Sequence, residues 1–62
     1  MWEFRSFYNG LVHRWWWRVF VEGRLTQESH PHFRSVNDAI NDARLYGFEM
    51  HRDRWQIHTT GR

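Results

Sequence analysis

His13-Arg14-Trp15-Trp16-Trp17-Arg18-Val19-Phe20-Val21-Glu22 is the stretch from which the rest of this chain can be read. Seven of its ten residues are β-branched, aromatic or histidine, and none is Gly, Pro, Asn or Asp. Such side chains fit a pleated, half-buried surface. Its apolar residues recur at every second position, so the period is that of a strand and not of a helix. Alternation puts Trp15, Trp17, Val19 and Val21 on one face, which is wholly apolar and reads as core. The other face carries Arg14, Trp16, Arg18, Phe20 and Glu22, a mixture that reads as partly exposed.

Upstream, residues 2–8 fit two periods. Phe4, Phe7, Tyr8 and Leu11 have helical spacing, whereas Trp2, Phe4, Ser6 and Tyr8 have strand spacing. Asn9-Gly10 favours the strand, because Asn-Gly suits the two positive-φ positions of a type I′ hairpin. That turn would set Tyr8 opposite Leu11, Phe4 opposite Trp15 and Trp2 opposite Trp17. It would also set Arg5 opposite Arg14, an unfavourable pairing of like charges.

Downstream, Gly23-Arg24 is expected to turn the chain into a third strand from Leu25 to about Ser29. A two-residue turn would place Leu25 with Glu22 on the outer face. A three-residue turn would pair Leu25 with Val21 and bury it, and is preferred. Pro31 ends or interrupts this ladder for lack of an N–H. Ser35 to Tyr46 reads as a helix. Ser35 is the N-cap, Asp38 lies near the positive helix end, and Gly47 follows as the C′ residue. Its apolar positions Val36, Ala39, Ile40 and Ala43 follow the i, i+3, i+4, i+7 rule. Two alanines make that face narrow, suited to close docking on a sheet filled by indole rings. Phe33 is placed to pack there too. Phe48 to Met50 could resume as strand, Trp55 to Thr59 alternate as a short last strand, and Thr60 to Arg62 are expected to fray.

The sum is a single α+β domain over residues 1–62: a three- to four-stranded antiparallel sheet with one α-helix packed across one face. Its expected core is Trp2, Phe4, Trp15, Trp17, Val19, Val21, Val36, Ala39, Ile40, Ala43 and Trp55. A core this small rarely supplies more than ~3–5 kcal/mol. With no cysteine, neither a disulfide nor a thiolate metal site can add to it. Twelve aromatic residues are one compensation, and oligomerisation is another.

The cadence of Trp15 to Val21, then Gly23, Ser29, Phe33, Ser35, Ala39 and Ala43, resembles the small uncharacterised bacterial YegP-like domains. The spacing of Phe33, Ser35, Ala39 and Ala43 also resembles plant AP2-type DNA-binding domains. Both resemblances cover roughly residues 15–47 and imply a three-stranded antiparallel sheet crossed by one helix. The first implies no activity. The second lacks its upstream Arg-Gly-Val-Arg and Trp-Gly-Lys-Trp elements here, so it carries over no DNA contacts.

All nine basic residues are arginine, against seven acids, for a formal charge of +2. That is too little to prove a polyanionic partner, although five protonated histidines would raise it to +7. Codon bias in a GC-rich genome explains the missing lysine more readily than selection for bidentate, stacking cations. No basic-then-apolar leader and no membrane-length apolar run occur, so a cytoplasmic protein without membrane contact is expected.

Catalysis is not expected. Asp38 and Asp42 lie one helical turn apart, but charges on the outer side of a helix are the plainer account. The glycines form no phosphate loop, and no serine sits in a nucleophile motif. His30-Pro31-His32 could share zinc or nickel with His13, His51 or His58, yet no second tight ligand pair accompanies it, so neither metal nor cofactor is expected. What stands out is the outer face: Arg5, Arg14, Trp16, Arg18 and Phe20 across two strands. Arginines among aromatics suit phosphate contact with base stacking, on DNA or RNA. The alternative is a homodimer, or another protein partner, covering the same rings.

Overall fold

The structure is a computed structural model that describes residues 1–59. It forms a small α+β domain. Among the described residues the elements are β1 (Trp2–Asn9), β2 (Val12–Val21), β3 (Arg24–Glu28), α1 (Val36–Arg44) and β4 (Trp55–Thr59). The expectation for Thr60 to Arg62 lies outside them.

The four strands make one sheet in the order β3-β2-β1-β4. β1–β2 and β2–β3 are antiparallel, as expected, but β4 runs parallel to β1, so the sheet is mixed. The cause is the helix. β3 runs in the direction of β1, and α1 carries the chain back across the sheet. β4 therefore starts where β1 starts, with Trp2 N donating to Arg54 O at 2.9 Å.

The first hairpin forms with its faces as expected but in a different register. Its two-residue turn is Gly10-Leu11, so Asn9 pairs with Val12, Phe4 with Trp17 and Trp2 with Val19. Gly10 has φ +67° and Leu11 does not share a positive φ. That is the pattern of a type II′ turn, which wants Gly in first place. A slip of two keeps every side chain on its face. It brings two fully buried rings, Phe4 and Trp17, together and replaces the Arg5–Arg14 clash by Arg5 opposite Trp16. Leu11 stands fully exposed at the turn.

Neither turn weighed for the second hairpin is present. The turn is Glu22-Gly23, with φ +53° and +80°, the double positive φ of type I′. Val21 pairs with Arg24 and Phe20 with Leu25, which leaves Leu25 exposed. The pairing shifts between Val19 and Phe20, where Thr26 is the extra residue of a bulge and its hydroxyl donates to Val19 O at 3.2 Å. Past the bulge Ser29 continues the ladder: its N–H donates to Trp17 O and its Oγ accepts from Trp17 N, both at 2.9 Å. After the interruption at Pro31, Phe33 rejoins β2 opposite Trp15.

Ser35 caps α1, its Oγ accepting from Asp38 N at 3.1 Å. Ala39, Ile40 and Ala43 bury against the sheet. The core is Trp2, Phe4, Trp17, Ala39, Ile40, Ala43 and Phe48. Trp15, Val19, Phe33, Val36 and Trp55 are only partly buried around it, and Val21, at the strand end, is exposed. Phe48 is the core residue missing from the expected set. It is not on a strand. It folds under the sheet after Gly47 and meets the rings of Trp2 and Phe4 at 5.2 Å each and Trp55 at 6.2 Å. Residues 49–54 are tied by Arg52, whose guanidinium donates to Gly47 O and to both Asp53 carboxylate oxygens. That hydrogen bond, with the Glu49 N–H, holds the Asp53 carboxyl below its ordinary pKa of 3.8.

Candidate functional site

α1 occupies one face of the sheet, so half of every strand points away from the core. Strand parity and register fix what appears there. β1 contributes Glu3, Arg5 and Phe7; β2 contributes Arg14, Trp16, Arg18 and Phe20; Gln56 and His58 stand beside Glu3 and Arg5 on β4. All five residues singled out in the sequence, Arg5, Arg14, Trp16, Arg18 and Phe20, therefore share one face. β4 joins the sheet at its far edge, beyond β1, so the C-terminal strand does not cover Trp16 or Phe20.

The face has its own order. Glu3 Oε1 accepts from Arg5 Nη1 at 3.2 Å and lies 4.0 Å from Arg18 Nε. Glu28 Oε2 accepts from Trp16 Nε1 at 3.0 Å and lies 3.7 Å from the same Arg18 Nε. Arg18 Nε thus sits between two carboxylates and is hydrogen-bonded to neither. Its guanidinium lies over the Phe20 ring at 5.0 Å, a cation–π contact. Phe7 meets Trp16 edge to face at 5.9 Å. Arg14 donates to His13 O at 3.0 Å and has no carboxylate within 4 Å among the described residues. Three arginines face two acids, so the face carries a small positive excess centred on Arg14.

Glu3, Phe7 and Glu28 complete the face and were not singled out from sequence. Parity along β1 contains the signal for Glu3 and Phe7, which lie two residues either side of Arg5 and so share its face. Glu28 could not be placed, because the bulge at Thr26 sets its register.

The other candidates separate. Asp38 is exposed at the helix cap, while Asp42 is half-buried and accepts from Trp17 Nε1 at 2.8 Å, satisfying the one polar atom of a buried indole. Both line one cleft beside Phe33, where the Trp17 indole occupies one oxygen of Asp42. The His30 and His32 rings lie 6.5 Å apart, and His32 packs on Phe33 at 4.1 Å. Among the described residues no three His, Cys, Asp or Glu side chains are placed to hold a metal ion. Among them, too, no helix is long and apolar enough to cross a membrane.

In comparisons with known proteins, no family, no curated protein and no solved structure matches this chain. The likeness to YegP-like and AP2-type domains therefore rests on the sequence cadence alone.

Proposed function

We propose that this chain is a non-catalytic binding domain that holds single-stranded nucleic acid, DNA or RNA, on the open face of its sheet. One observation carries the reading: Phe7, Trp16 and Phe20 stand with Arg5, Arg14 and Arg18 on a face that no other element among the described residues covers. Bases stack on such rings with about 1–3 kcal/mol each, whatever their sequence. An unpaired strand offers its base faces; a duplex has already stacked them. The arginines can meet phosphates at little cost. Partly exposed ion pairs such as Arg5–Glu3 and Arg18–Glu28 stabilise by only ~0–1 kcal/mol. Arg14 has no such pair to give up.

With at most three arginines engaged, affinity should fall with salt at a log–log slope of about −2, taking ~0.7 per single-strand contact. The test is anisotropy of labelled DNA and RNA oligomers at two salt concentrations, with Trp16→Ala and Arg18→Ala. Loss of binding in Trp16→Ala with the fold intact supports the reading. Unchanged binding in both variants ends it.

A second reading, self-association through the same face, is favoured by Leu25. It is 46% exposed beside Phe20 and extends the apolar surface to β3. Apolar burial of that kind responds little to salt, whereas phosphate contact responds steeply.

A further inference from the structure

A cleft of about 420 Å³ opens at the β3 side of the outer face, lined by Phe7, Trp16, Glu28, Ser29, His30 and Pro31. The Phe7 and Trp16 rings, set edge to face, and the Pro31 ring line it, so a flat group can stack on any one of them. The cleft's polar groups are the Ser29 hydroxyl, the Glu28 carboxylate and the His30 imidazole, which can donate or accept and so favours neither kind of base edge. The Ser29 hydroxyl is committed, accepting from Trp17 N at 2.9 Å and donating to His30 O at 3.3 Å. Glu28 is different: Oε2 is taken by the Trp16 indole and flanked by Arg18, while Oε1 makes no hydrogen bond or ion pair among the described residues. A carboxylate offers only acceptors. It would repel a phosphate, so it does not fit a site for the strand's backbone. It does fit a base edge that donates.

We propose that this cleft takes one base of the bound strand and that Glu28 selects bases with an exocyclic amino group over thymine and uracil. The inference rests on the nucleic-acid reading and adds a specificity to it. Cytosine presents the N4 amino donor that acidic side chains accept from; thymine presents the O4 carbonyl in its place, and its one donor, N3–H, lies between two carbonyls that a carboxylate repels. The two pyrimidines are alike in size, so stacking on Phe7 or Trp16 hardly separates them, and Glu28→Gln isolates the carboxylate from His30.

The experiment is anisotropy of short labelled oligodeoxycytidine and oligodeoxythymidine at neutral pH and low salt, with wild-type protein and Glu28→Gln. Glutamine keeps an acceptor for the Trp16 indole and can turn its amide N–H toward the cleft. Wild type should prefer the cytidine oligomer about tenfold, and Glu28→Gln should abolish or reverse that ratio while still binding. Amide NMR spectra confirm that the variant is folded. Equal wild-type affinity for the two oligomers, or a ratio unchanged in Glu28→Gln, overturns the assignment and leaves the stacking face standing. Binding of neither oligomer overturns the face and the base cleft together.

Discussion

Replacing Phe48 by alanine removes the ring that closes the core from below. Phe48 is 4% exposed and touches the rings of Trp2, Phe4 and Trp55, yet belongs to no strand or helix. Truncating a buried Phe costs about 3–5 kcal/mol, from lost transfer energy and from the cavity left behind. At ~0.05–0.15 kcal/mol per residue, a chain of this size holds roughly 3–9 kcal/mol in all. Phe48→Ala should therefore lose between about a third and the whole of its stability at 25 °C. Phe48→Leu keeps most of the volume and loses the ring pairs, worth about 0.5–1.5 kcal/mol each. It should lose about 1.5–4.5 kcal/mol, the sum for its three ring pairs. Urea titrations followed by circular dichroism measure both. If Phe48→Ala keeps a cooperative transition within about 1 kcal/mol of wild type, Phe48 does not hold the core and its placement is wrong.

Glu22 adopts φ +53° ahead of Gly23, a conformation that costs a residue with a long side chain about 1 kcal/mol. Glu22→Asn should raise stability by about 0.5–1 kcal/mol in the same titration, since Asn-Gly is the preferred type I′ pair. Ser35→Ala removes the acceptor for Asp38 N and should cost about 1 kcal/mol, with amide exchange speeding first at residues 36–38. The Asp53 carboxyl, held low chiefly by its hydrogen bond with Arg52, adds stability that is present above its unfolded value near 3.8 and lost as pH falls through the lower folded one. Carboxyl NMR should show Asp53 titrating below that value, and Arg52→Ala should raise it toward the ordinary range, with the Glu49 N–H bond remaining.

Much of the fold was legible where local chemistry and tertiary demand coincide. The alternation in Trp15 to Val21 set both faces of β2, and Ser35, the spaced alanines and Gly47 set the helix. Asn9-Gly10 carries a strong local signal for its own turn, but the pairing of Phe4 with Trp17 outweighs it and moves the turn to Gly10-Leu11. Leu25 shows the reverse. Its burial was expected because leucine is apolar, but the Glu22-Gly23 turn fixes its pairing with Phe20 and leaves it exposed. Strand direction at β4 depends on where α1 delivers the chain, which no residue in Trp55 to Thr59 encodes. Phe48 was invisible to periodicity because its burial arises in an irregular segment. The five outer-face residues came from parity alone, which a register error of two does not disturb. The carboxylates that balance them came from neighbouring strands, so their roles required the pairing.

The outer face is tested most directly by an amide NMR titration of labelled protein with single- and double-stranded DNA and RNA oligomers at low and moderate salt. Shifts confined to Arg5, Phe7, Arg14, Trp16, Arg18, Phe20 and their strand neighbours, strongest with single strands and fading with salt, are the predicted result. No shifts, with linewidths already those of a dimer, would contradict it and give the face to a second copy of the chain.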